Sequence, residues 1–282
     1  MGHRMTTETS VEVRTFTDWD GYLGHVRAMP KDAYIFRGQR DPGWKLQSPW
    51  DRNIAWMKDC LPQGASIETL FYRNTYKGNT DAFVASFKNN IRKLPDSERF
   101  EPYTDNAFWA LGRHYELISP LLDWTRSPFI GAFFSLIDLA KWLCGEDLSG
   151  EERLRREKSN PRVAVWALRV TEPVFQKGSF ELVDEYPSAA NERQKAQEGV
   201  FTRLRDGRHF DVESYLADSG KTGSLYRMEI PREAAGKALR DLHDRRIHYA
   251  SLYPDLDGAV RYANTLRFVH PEAWGSLVFG NE

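Results

Sequence analysis

The chain has 282 residues, with 39 Lys and Arg against 40 Asp and Glu and a formal net charge of -1 at neutral pH. That length can bury a substantial core without staples, and the balanced charge excludes a global attraction to nucleic acid or an anionic membrane, so partners must be argued from local sites. Only Cys60 and Cys144 are present, with no C-x-x-C spacing, which argues against a disulfide framework and a structural zinc site and fits a reducing cytoplasm. Met1 to Ser10 lacks the apolar run of a signal peptide, and no stretch of about eighteen apolar residues is long enough to span a membrane. The expectation is a soluble cytoplasmic protein with neither a membrane nor a metal partner.

Taken in chain order, Glu12 to Thr17 reads as a short strand, followed by an amphipathic helix over Trp19 to Ala28 entering at Thr17 or Asp18. A buried strand over Ala33 to Arg37 comes next, and Gln39 to Trp44, with Asp41-Pro42-Gly43, is turn chemistry before an extended path from Leu46 to Pro49. Ile67 to Ile91 carries the apolar spacing of one or two helices with a break near Lys77-Gly78-Asn79, and Asn106 to Tyr115 forms another helix. The Asp123-Trp124-Thr125 stretch reads as a turn ahead of a strongly apolar helix, Phe129 to Leu143, with Ser127 at its cap and Pro128 at its first position.

Gly145 to Asn160 is dense in charge and reads as an exposed connection. Arg162 to Val170, Gly199 to Thr202 and Ser224 to Ile230 are strands, Glu233 to Arg246 is an amphipathic helix, and a last helix runs from Ala259 to Thr265. Helices inserted early and strands gathered late predict an α+β fold. The expected organisation is an N-terminal segment, 1–17, a single domain, 18–270, and a C-terminal tail, 271–282.

The chemistry concentrates in two places. Tyr34-Ile35-Phe36-Arg37-Gly38-Gln39 puts an arginine at the end of a buried strand, where its planar guanidinium can grip a phosphate or carboxylate through parallel hydrogen bonds. His114-Tyr115-Glu116 leads into Leu121-Leu122-Asp123-Trp124-Thr125-Arg126-Ser127-Pro128, which adds an imidazole, carboxylates and hydroxyls. Each also has a structural reading: Arg37 tying a buried carboxylate such as Asp123, His114 as a hydrogen-bonded core histidine, Asp123 as a turn cap, and Trp124 as core. The run Arg203-Leu204-Arg205-Asp206-Gly207-Arg208-His209 is either a solvated loop or an RNA or partner contact. Pro254-Asp255-Leu256-Asp257-Gly258 lacks the ligand count of a calcium loop and reads as a turn and helix cap.

Together with Gln197-Glu198-Gly199-Val200-Phe201 and Tyr253-Pro254-Asp255-Leu256-Asp257-Gly258, these motifs resemble the FRG domain family, in family order, over roughly Asp18 to Ala263. A more distant resemblance is to the ADP-ribosyltransferases: Arg37 and Gly38 match their aromatic-Arg-Gly, Thr125 and Ser127 their hydroxyl-rich strand, and Gln197 with Glu198 their Gln/Glu-x-Glu element. This resemblance implies an ADP-ribosyltransferase-like fold, a mixed or antiparallel sheet core with inserted helices, that uses NAD as a substrate, in a toxin or antiviral defence effector modifying a macromolecule, RNA ahead of protein. Such a toxin implies an antitoxin or chaperone partner.

In that mapping Arg37 clamps the pyrophosphate, and Gly38 allows close approach. His114, Tyr115, Asp123, Thr125 and Ser127 line the nucleotide site, and Glu198 or Gln197 serves the ribose and the oxocarbenium-like transition state. If Gln197 and Glu198 lie on a strand, only one of them can face the site. Family members commonly carry Gly after His-Tyr, where this chain has Glu116. The alternatives are a non-catalytic module binding a nucleotide, RNA or protein in the same cleft, and a hydrolase using His114 with Asp123 or Glu116, which lacks a convincing nucleophile.

Overall fold

The computed structural model describes residues 11–53, 73–100, 103–143, 161–171, 173–184 and 192–269. Seven strands form one mixed sheet in the order β1-β7-β4-β2-β3-β6-β5. These are β1 (Glu12–Thr15), β2 (Tyr34–Gln39), β3 (Leu121–Thr125), β4 (Arg162–Arg169), β5 (Phe180–Val183), β6 (Gly199–Leu204) and β7 (Leu225–Pro231). The edge pair β1 and β7 is parallel and the other pairings are antiparallel. Strand β1, within the segment ahead of Asp18, forms one edge of the sheet.

Helices α1 (Trp19–Ala28), α2 (Arg73–Ile91), α3 (Asp105–His114) and α4 (Pro128–Leu143) come from the first half of the chain. The second half supplies α5 (Glu192–Ala196), α6 (Val212–Asp218), α7 (Ala235–Asp244), α8 (Tyr249–Leu252) and α9 (Leu256–Val269). Local chemistry sets several starts. Asp18 accepts from the Gly21 amide at 2.8 Å, Thr104 from Ala107 at 3.1 Å, and Ser127 from Ile130 at 3.4 Å, with Pro128 opening α4 where a missing donor is harmless. Asp255 accepts from the Gly258 amide at 3.0 Å, so the last helix begins at Leu256, earlier than the sequence pattern predicts.

Other expectations need correction too. Helix α2 runs unbroken through Gly78, where a helical glycine costs about 1 kcal/mol without stopping the helix; its expected beginning at Ile67 lies outside the described residues, as does the charged stretch 145–160. Asp123-Trp124-Thr125 is the end of β3 and not a turn, held by the antiparallel register of Asp123 with Phe201 and Thr125 with Gly199. Strand β5 and the short helices α5 and α6 have no strong period of their own and emerge only in the fold.

Strand alternation sorts the core. Ile35, Ala164, Trp166, Leu168, Leu122, Trp124 and Val200 face one side and pack with Val212, Tyr215 and Leu216 of α6. The opposite face is covered in two patches. Phe36, Val163, Val165 and Ala167 meet α1, α4, α7 and α8, while Leu121, Val183 and Phe201 meet α2 and α3. Between the patches β2 and β3 pair at a single register position, Phe36 with Thr125. That parting of the strands positions the site.

Candidate functional site

A cleft of about 750 Å³ opens where β2 and β3 separate, lined by both strands, the end of α3, the first turns of α4, the loop after β2, and the segment from α5 to Gly199. Six basic side chains line it, Arg37, Lys45, Arg52, Arg113, Arg193 and Arg261, against the three acidic ones Glu116, Asp123 and Asp138.

Arg37 occupies the place where the β2–β3 ladder would continue. Its Nη1 donates to the Asp123 carbonyl at 2.8 Å and lies 3.7 Å from the Asp123 carboxylate, while its buried Nε has no acceptor among the described residues. The structural pairing of Arg37 with Asp123 is thus present, but it is shared. Arg113 donates to the same carboxylate oxygen through Nε and Nη2 at 3.3 and 3.2 Å. One carboxylate serves two guanidiniums. Burial pushes Arg37 down to about 10; Asp123 opposes this, and Arg52 and Arg113 add to it. The side chain still carries its charge at neutral pH, in a pocket short of anions.

The opposite wall is neutralised. Arg193 donates to Asp255 and Asp257, and Arg261 donates to Asp257 at 2.8 Å. The Tyr253 ring lies against both guanidiniums, at 5.0 and 5.6 Å. The Pro254 to Gly258 motif is therefore a helix cap whose carboxylates hold two arginines at the cleft. A Cβ on Gly258 would sit 1.8 Å from the Tyr253 carbonyl, which explains that glycine.

The expected site residues divide. Arg37, Gly38, Asp123, Thr125 and Gln197 line the cleft, whereas Tyr115, Ser127 and Glu198 do not. Tyr115 is exposed, Ser127 caps α4, and the His114 side chain lies outside the described residues.

Gln197 and Glu198 are on a turn between α5 and β6, not on a strand, so the two-face expectation does not apply. Gln197 reaches into the cleft and donates to the Leu252 carbonyl at 3.1 Å. Glu198 adopts a left-handed φ of 47°, is exposed, and is not among the residues that line the cleft. Thr125 donates its hydroxyl to the Gln197 carbonyl at 2.7 Å and accepts from the Ser127 amide at 3.1 Å, so its hydrogen clips β3 to this turn. Gly38 is required by packing more than by ligand approach, since a Cβ there would lie 2.0 Å from the Gly131 carbonyl oxygen and 2.7 Å from the Ser135 nitrogen.

Glu116 lines the cleft instead. It has a left-handed φ of 63°, and its carboxylate has no partner among the described residues. A left-handed backbone accounts for a glycine preference at this position. Most of the basic run from Arg203 to His209 is tied to the protein: Arg203 bonds Asn106, Arg205 pairs with Glu181, and Asp206 accepts from the Arg208 and His209 amides and contacts the His209 ring, while the Arg208 side chain stays exposed. Trp124 is core, 4% exposed, with its indole donating to Thr202 at 2.9 Å.

Arg52, Arg113, Arg193 and Arg261 are cleft residues that the motifs do not single out. Arg113 adjoins a motif, but nothing in its local pattern distinguishes it from a surface arginine.

Residues 32–141 match the family model of the FRG domain. The Gln197 and Tyr253 motifs that also carry the resemblance lie beyond the matched stretch. No curated protein and no solved structure matches the chain significantly. Among the described residues no helix is long and apolar enough to cross a membrane, and no group of three or more His, Cys, Asp or Glu side chains could hold a metal ion.

Proposed function

We propose that the cleft binds a phosphate-type oxyanion, with Arg37 as its principal donor and Arg113 and Arg52 completing the positive field. The observation that carries this reading is the Arg37 guanidinium, 18% exposed at a cleft where one carboxylate serves two guanidiniums and six basic side chains stand against three acidic ones. A guanidinium offers five donors, and a hydrogen bond from a charged donor is worth about 1.5–3 kcal/mol. Inorganic pyrophosphate should raise the melting temperature of the wild-type protein and leave that of Arg37→Ala unchanged. No stabilisation of the wild type at saturating pyrophosphate would sink the reading.

A second reading is favoured by Glu116, a carboxylate that lines the cleft without a partner. In it the ligand is NAD, the fold is of the ADP-ribosyltransferase type, and the protein is a toxin or defence effector that transfers ADP-ribose to a macromolecule, RNA ahead of protein. Glu116 would then take the role expected of Glu198, stabilising the oxocarbenium-like transition state. Incubation with labelled NAD and mixed RNA or protein acceptors tests it. Turnover should fall at least a hundredfold in Glu116→Gln and stay unchanged in Glu198→Gln. Absence of both transfer and NAD hydrolysis would leave only the binding reading.

A further inference from the structure

We propose that Trp44 is a base-stacking platform in the wall of the cleft, so that the oxyanion held by Arg37 belongs to a nucleotide; this rests on the oxyanion reading above. Trp44 lines the same cleft as Arg37 and remains 41% exposed. The contrast with other tryptophans is informative. Trp124 and Trp166 are buried, with their indoles donating to Thr202 and Gln39 at 2.9 and 2.8 Å, whereas the Trp44 indole has no acceptor among the described residues.

The ring is nonetheless held in place. The Arg40 guanidinium lies 4.8 Å from the Trp44 ring centroid and 4.9 Å from that of Trp142, and Asp138 balances its charge at 3.5 Å. Arg40 therefore supports the platform instead of gripping the ligand. The loop beneath is pinned at both ends. The Gly43 amide donates to the Asp41 carboxylate at 2.8 Å, the Gln39 amide group to the Lys45 carbonyl at 3.3 Å, and the Leu46 amide to both Glu213 carboxylate oxygens at 3.0 and 3.2 Å.

An aromatic ring fixed in advance loses little freedom when a base stacks on it, and stacking tolerates any base because every base has a π-face. Phe134 and Tyr253 add aromatic surface to the same cleft. A bare phosphate or sugar phosphate would leave this surface unused.

Calorimetric titration of pyrophosphate and of ADP into wild type, Arg37→Ala, Trp44→Ala and Trp44→Phe tests the assignment. Arg37→Ala should weaken both ligands. Trp44→Ala should weaken ADP about tenfold and leave pyrophosphate unchanged, with most of the loss restored in Trp44→Phe. Equal affinity of the wild type for ADP and pyrophosphate, or equal effects of Trp44→Ala on both, would overturn the stacking role while the oxyanion reading stood. Failure of the wild type to bind either ligand would overturn both.

Discussion

Replacing Arg37 with methionine separates a ligand-binding arginine from a structural one. The guanidinium is pushed down to about 10, burial being the largest of several causes, and the net shift amounts to roughly 3 kcal/mol against the charged form at about 1.4 kcal/mol per pH unit. The side chain is 18% exposed, so solvent screening reduces that figure only modestly. Against this, the variant loses the 2.8 Å bond to the Asp123 carbonyl, at about 1.5–3 kcal/mol for a charged donor. Asp123 is not stranded, because Arg113 still donates to it through two bonds. The terms nearly cancel, as they do when buried ion pairs give way to apolar residues of similar size.

Urea unfolding of Arg37→Met in phosphate-free buffer should therefore lie within about 1 kcal/mol of wild type, a melting shift of roughly 2–4 °C at most for a domain of this size. Adding pyrophosphate at about a hundred times its dissociation constant should stabilise the wild type by about 2.7 kcal/mol and the variant not at all. A loss of about 3–5 kcal/mol in the ligand-free variant would refute the reasoning, because that is the signature of breaking a structural buried pair.

Gly38→Ala should lower stability by about 3 kcal/mol or more and reduce soluble yield, because the new methyl meets Gly131 and Ser135 backbone atoms that cannot swing away; unfolding within about 1 kcal/mol of wild type would show that the β2–α4 contact is looser than described. Glu116→Gly should raise stability by up to about 1 kcal/mol by relieving a left-handed backbone, measured by denaturant midpoint, even as any transfer activity is lost. His209 contacts Asp206 at 2.5 Å and Asp218 at 2.8 Å; burial, the largest single influence, lowers its affinity for protons, but the hydrogen bonds to Asp218 and Asp206 together leave it raised. Its stabilisation is therefore complete below about pH 6.5 and lost as the pH climbs through the raised folded value. The stability margin of wild type over His209→Gln should be larger near about pH 6 than near about pH 8.5, and a margin that grew with pH would contradict the assignment.

Much of the local architecture is written in short-range chemistry. The apolar run of β4 is buried on both faces, and Asp18, Ser127 and Pro128 mark where α1 and α4 begin. The structural reading of Arg37 as tied to Asp123 also meets an observed contact, 3.7 Å between the guanidinium and the carboxylate. Strand alternation could not decide between Gln197 and Glu198, because they sit on a turn whose left-handed step sends Glu198 outward. Nor could any local pattern mark Arg113, Arg193, Arg261 or Trp44, whose spacing says only helix face or loop.

The sequence by itself determined the longer strands and helices, such as β4 and α4, and the caps that open α1 and α4, since those choices depend on neighbours within a few positions. Only the tertiary structure decided that β2 and β3, distant in the chain, touch at one register position and then part. Through that gap one carboxylate comes to face two guanidiniums. Charge excess and an unmet donor are properties of a three-dimensional neighbourhood, and they exist only once the sheet order has been chosen.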